Sequence, residues 1–140
     1  MSITHAGLRS WARGLYPLEA AVELLAQAFG GRFANPGLPW IQPCDQSGWW
    51  WLDPWQITDD ALAGLSGGEQ RVLRIAASLA GGPPVGLADN LPGLDRDLMH
   101  LVLAAMAHAN GSHEHPGILI DHNRGVAKVD GQLPSLHPWP

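Results

Sequence analysis

Three groups of residues in this chain have types and spacings that could do chemistry. The first is the run Leu65-Ser66-Gly67-Gly68-Glu69-Gln70-Arg71, a glycine-rich turn feeding an amphipathic helix. At a helix N-terminus, Ser66, Gly67 and Gly68 can present a hydroxyl and free N–H groups to an anion or a nucleotide phosphate. Ser66 and Glu69 also have the S-x-x-E spacing of a capping box, worth about 1 kcal/mol, and this plainer account is preferred. The second group is His108, His113, His115 and His122 with Glu114 and Asp121. Imidazole with carboxylate can bind zinc, so a small metal-dependent enzyme is one alternative reading. However, His113-x-His115 is not a strong ligand spacing. Solvated loop histidines are therefore expected, with no metal and no cofactor. The third group is Trp49-Trp50-Trp51, with Trp40 and Trp55 nearby. In a strand Trp49 and Trp51 point to one face and Trp50 to the other, so either both faces are covered or an indole is exposed. An aromatic mini-core is the plain reading, and a protein-partner hot spot is the functional one. No Ser/His/Asp order stands out and no catalytic residue is assigned.

The elements that must position these groups can be read from periodicity. Two consecutive helices are predicted over 4–15 and 17–29. Thr4 would cap the first, with Leu8, Trp11 and Leu15 on one face; Leu18, Val22, Leu25 and Phe29 line the second. Pro17 suits its first turn and Gly30-Gly31 stops it. Pro36, Pro39, Pro43 and Pro54 exclude helix over 32–55. There Trp40-Ile41 and Trp49–Leu52 predict a hairpin with Cys44–Gly48 as its loop. Such a ribbon is unstable alone and must pack on the helices. A short helix should start at Thr58 or Asp59. A third long helix is predicted over 67–80, with Val72, Ile75, Ala76 and Leu79 inward and Gln70, Arg71, Arg74 and Ser78 as a polar stripe. A fourth is predicted over 93–109, carrying Leu94, Leu98, Leu101, Val102, Ala105 and Ala109 and ended by Asn110-Gly111. Ile118–Ile120 and Val126–Val129 are candidate strands, and the Pro-rich tail 133–140 is expected to be loose.

Bulk composition narrows the classes further. At 140 residues the chain is one domain by length, with 46% hydrophobic and 15% charged residues, enough for a core. A net charge of −5 argues against duplex nucleic acid as a partner, since neutralising phosphates needs clustered Lys and Arg. Cys44 is the only cysteine, which excludes an internal disulfide and any Cys-rich zinc site. No signal segment or apolar run of membrane-spanning length is evident, so a cytoplasmic protein without membrane association is expected.

Residues 65–122 resemble, in order and rough spacing, the C-terminal half of an ABC-type ATPase domain. Leu65–Glu69 is similar to that family's signature loop and Val85–Asn90 to its strand ending in Asp-Glu. Pro92–Asp95 is similar to the following D-loop, and Ile118–His122 to the strand ending in His. The resemblance implies that Ser66, Gly67 and Gly68 contact a nucleotide held by a partner subunit. Asn90 stands where the catalytic Glu belongs, and no G-x-x-x-x-G-K-[ST] loop occurs, which argues against autonomous ATP hydrolysis. Residues 11–21 and 65–79 also resemble small uncharacterised proteins of actinobacteria and their phages, a likeness that implies a compact domain and no reaction.

The expected fold is a mostly helical α+β domain over 1–132, about four helices packed with a Trp-rich hairpin. The expected function is a non-catalytic interaction or regulatory module, phage- or mobile-element-encoded, acting on a host protein. Trp49, Trp50, Trp51, Arg71 and Arg74 are its candidate contact residues, and self-association is an open alternative.

Overall fold

The computed structural model describes residues 2–45 and 48–140. Helix α1 spans Ile3–Ala12 and α2 spans Tyr16–Gln27. Ser2 rather than Thr4 caps α1, its hydroxyl accepting the His5 N–H at 3.0 Å, while Thr4 is buried inside the first turn. Because α1 ends at Ala12, Leu15 is not on its face; it precedes α2 and is 62% exposed. Pro17 stands in the first turn of α2, where its missing N–H costs no hydrogen bond. That helix stops two residues earlier than its periodicity suggests. Phe29, Gly30 and Gly31 turn left-handed within a tight 3-10 stretch, Ala28–Ala34, which also corrects the exclusion of helix from residue 32 onward.

The hairpin pairs β1, Ile41–Pro43, antiparallel to β2, Trp50–Leu52, with Ile41 opposite Leu52. Gln46 and Ser47 of its loop lie outside the described residues. The ribbon leans on α1 at Gly7, where a Cβ would stand 2.4 Å from the Gly48 carbonyl oxygen and 3.0 Å from Trp50 Cδ1. Only glycine permits so close an approach. Trp40 is fully buried, and its indole N–H donates to the Phe33 carbonyl at 2.9 Å. That bond removes the penalty of burying a polar tip.

Thr58 caps the short α3, Asp59–Leu62. Helix α4, Gly67–Leu79, opens on the complete capping box: Ser66 Oγ accepts the Glu69 N–H, and the Glu69 carboxylate accepts the Ser66 N–H at 2.9 Å. Leu73 joins Val72, Ile75 and Ala76 among its buried residues, while Leu79 is only half-buried. The strand that the ABC resemblance places at 85–90 is instead a helical turn, α5, Leu87–Asn90. Two prolines precede it, and the buried Asn90 amide donates to the Gly86 carbonyl at 2.7 Å, a local bond that holds the turn closed. Helix α6 spans Arg96–Asn110, later than expected because Asp95 is its cap.

Helix α2 is central, packed against α1, α4 and α6. Leu24 and Leu25 of α2, Leu73 of α4 and Val102 of α6 are all within 2% of complete burial. Each large side chain removed from water in this way contributes about 1.5–3 kcal/mol. The molecule is a mostly helical α+β domain. No helix among the described residues is long and apolar enough to cross a membrane.

Beyond α6, β3, Pro116–Asp121, pairs antiparallel to β4, Val126–Gln132, in a second hairpin. The segment 133–140 returns along α6 rather than hanging loose. Leu136 N–H donates to Ser112 Oγ at 3.1 Å, the His137 ring stacks on His100 at 5.5 Å, and Trp139 packs against the core. Polar anchors and one large indole thus offset the ordering cost that a Pro-rich end otherwise avoids.

Candidate metal centre

Glu19, His108 and His113 converge where the start of α2 meets the end of α6. Their ligand atoms all lie within 4.8 Å of one another, and all three residues are half-buried. Glu19 is set by the turn between α1 and α2: one carboxylate oxygen accepts the Gly14 N–H at 2.9 Å, and the other meets His108 Nε2 at 2.8 Å. His108 lies in the last turn of α6, where free carbonyls favour positive charge. Gly111 then adopts a left-handed conformation, φ 84°, and folds the Ser112–Glu114 turn back over the helix end. A Cβ on Gly111 would meet the Tyr16 ring at 2.9 Å, so the turn needs glycine for both reasons. The fold-back stacks His113 on His108, centroids 4.1 Å apart and planes 17° from parallel. Tyr16 closes the stack edge-on to His113 at 5.0 Å.

One polar atom here lacks a partner among the described residues. His113 Nδ1 is buried without a hydrogen bond to any of them, a state that costs about 1–3 kcal/mol unless something fills it. Burial pushes the Glu19 carboxyl up. The Gly14 N–H, the His108 bond and the nearby His108 and His113 rings outweigh it, leaving the carboxyl below its ordinary range. An anionic carboxylate beside two imidazoles is a hard-plus-borderline donor set suited to zinc and its neighbours. The near-parallel rings must tilt toward each other by a rotamer adjustment to share one ion.

A pocket of about 330 Å³ opens beside this cluster, with Glu19 and His108 on its wall. Arg9 and Glu23 lie across it in a bidentate pair, with bonds of 2.8 and 3.0 Å, and Gln27 donates to the same carboxylate at 2.9 Å. Trp139 brings the C-terminal segment to the pocket and sits 6.3 Å from the His108 ring.

Of the histidines read as one crowd, only His108 and His113 meet. His115 is exposed at the start of the second hairpin and His122 at its turn, so neither joins them. The reading of His108 and His113 as solvated loop residues is corrected, because both rings are half-buried and packed on each other. Glu19 was missed. It lies 89 positions from His108, and no local spacing connects them.

The tryptophans divide. Trp50 is half-buried near α1 and Trp51 packs 6.4 Å from Trp11, which forms the aromatic mini-core. Trp49 and Trp55 are the exposed indoles, at 49% and 63%. Arg74 is engaged by Asp59 at 2.8 Å, and Arg71 lies against Gly67 and Gly93. The arginines and the Trp run thus pack on different elements. Ser66 is occupied by its cap, and Glu69, paired with Arg32, already places a negative charge at the α4 N-terminus beside Gly67 and Gly68. Asp89 is on α5, Asp95 caps α6 and His122 is in the hairpin turn, each on a separate element.

Searches of protein-family models, curated proteins and solved structures find no match to this chain.

Proposed function

We propose that this chain is a divalent-metal-binding domain in which Glu19, His108 and His113 are the ligands and the neighbouring pocket admits a further ligand. The observation that carries this reading is the convergence of one donor atom from each of the three residues within 4.8 Å, on a His113 ring whose buried Nδ1 has no hydrogen-bond partner among the described residues. A cation supplies what that nitrogen lacks and gains a carboxylate already held in its charged form. Two imidazoles and one carboxylate leave a tetrahedral ion one open position, the arrangement of catalytic rather than structural zinc sites. At that position the ion can polarise a bound water or a carbonyl oxygen. Calorimetric titration with zinc tests it. One equivalent per chain is expected, with at least about tenfold weaker binding in His113→Ala and Glu19→Gln. Binding that both variants retain unchanged rules the site out.

A second reading as a protein-contact module is supported by a separate observation. The register of β3 and β4 puts Ile118, Ile120 and Val129 on one face, and these are 64%, 61% and 69% exposed. Exposed apolar side chains grouped in this way mark contact surfaces, and Trp49 and Trp55 add anchors of the type that dominates interfaces. Self-association measured by sedimentation, lost in Val129→Asp, is the expected result for a surface that pairs with itself. A partner of a different kind predicts a monomer whose binding is lost in the same variant.

A further inference from the structure

The pocket beside the three ligands has a chemistry of its own. Ala12, Val22 and the Trp139 indole give it apolar walls. Its charged groups are Arg9, Arg13, Glu19 and Glu23. Arg9 and Glu23 satisfy each other, and Glu19 faces His108. Arg13 is different: its exposed side chain lines the pocket and makes no hydrogen bond or ion pair among the described residues. At about 330 Å³ the pocket lies at the small end of the ~300–1,000 Å³ range for ligand sites. That volume suits a small organic molecule and leaves little room for a nucleoside triphosphate.

We propose that the pocket binds a small organic carboxylate with an apolar or aromatic body. The carboxylate pairs with Arg13, and the body lies against Trp139, Ala12 and Val22. A guanidinium presents two parallel N–H donors that match a carboxylate edge, which a neutral hydroxyl cannot use equally well. The carboxylate site itself rests on the pocket and Arg13, and its coupling to a metal rests on reading Glu19, His108 and His113 as metal ligands. A divalent ion there neutralises Glu19, whose charge otherwise repels an incoming anion, so the carboxylate and the metal favour each other's binding.

The test uses the full chain, zinc-loaded and metal-free, titrated with phenylacetate and with its neutral analogue 2-phenylethanol. Binding is followed by calorimetry and by the Trp139 indole N–H resonance. Saturable phenylacetate binding is expected, with the alcohol at least about tenfold weaker. Arg13→Gln should lose that preference while keeping its zinc affinity. Equal binding of acid and alcohol, an unchanged preference in Arg13→Gln, or no saturable binding overturns the proposal. If the native chain takes up no zinc, the metal reading fails by itself. In that event an Arg13-dependent preference for the acid in the metal-free chain still upholds the carboxylate site, and its absence overturns that as well.

Discussion

Glu19 and His108 stand 89 positions apart in the chain and 2.8 Å apart in the fold, with the carboxylate oxygen facing the imidazole Nε2. The packing of α2 on α6 brings them together, and the Gly14 N–H holds the other carboxylate oxygen so that it cannot swing away. Glu19 therefore does two jobs. It closes the turn between α1 and α2, and it presents a fixed negative charge to two stacked rings.

Replacing Glu19 with Gln keeps an oxygen for Gly14 but removes the charge. The expected result is a folded protein whose unfolding free energy is lowered by about 1.5–3 kcal/mol, the range for a hydrogen bond to a charged group. Urea denaturation followed by far-UV circular dichroism measures this. A variant as stable as the parent would show that the bond between Glu19 and His108 contributes nothing.

Acid should destabilise the fold through its depressed carboxylates, Glu19 and Glu23 among them. Burial pushes Glu23 up, but the Arg9 and Gln27 hydrogen bonds with the Arg9 charge outweigh it, and like Glu19 it sits below the ordinary value of 4.5. A group whose folded value is depressed binds fewer protons folded than unfolded. Its stabilising effect is complete above about pH 4.5 and disappears as the pH falls through the folded value. Denaturation midpoints should therefore decline below the ordinary carboxylate range, and less steeply in Glu23→Gln. A profile that is flat or rises on acidification would contradict this.

The central helix offers a packing test. Leu24 is completely buried on α2, so Leu24→Ala should cost about 2–5 kcal/mol by lost transfer energy and the cavity left behind. Gly7→Val attacks a different joint, because its side chain would collide with the Gly48 carbonyl and Trp50. The expected outcome is displacement of the Trp hairpin, read as a red-shifted indole emission with the helical signal largely kept. An unshifted spectrum would show that the ribbon does not need this contact.

Ser66→Ala should cost about 0.5–2 kcal/mol, the range for loss of an N-cap. If Ser66, Gly67 and Gly68 serve only to start α4, titration with ATP or inorganic phosphate should give the same response in Ser66→Ala as in the parent. Saturable ATP binding that disappears in this variant would favour the signature-loop reading instead.

The capping box was legible because both partners lie within one turn of chain, where Ser66 and Glu69 are brought within reach of each other by the helix itself. The end of α6 at Gly111 and the start of α3 at Thr58 were legible for the same local reason. The cap of α1 was misplaced by two residues, since Ser2 and Thr4 carry the same chemistry and only burial separates them. Residues 85–90 showed apolar character without length, and the bond from Asn90 to Gly86 turns them into helix where a strand was expected. The candidate site was half legible. His108 and His113 were visible only as two members of a group of four histidines, with nothing to separate them from His115 and His122, and Glu19 depended on a helix-to-helix contact that no spacing encodes. The tail followed the same logic, because its proline content is local while Trp139 meets its partners only in the fold.

The absorption spectrum of the cobalt(II)-substituted protein tests the metal centre most directly, since cobalt takes the place of zinc and reports its own coordination. Visible bands of tetrahedral or five-coordinate intensity, rising to a plateau at one equivalent per chain and absent in a His108→Ala/His113→Ala double variant, are expected. A spectrum no different from aqueous cobalt, or one the double variant reproduces, would show that Glu19, His108 and His113 hold no ion.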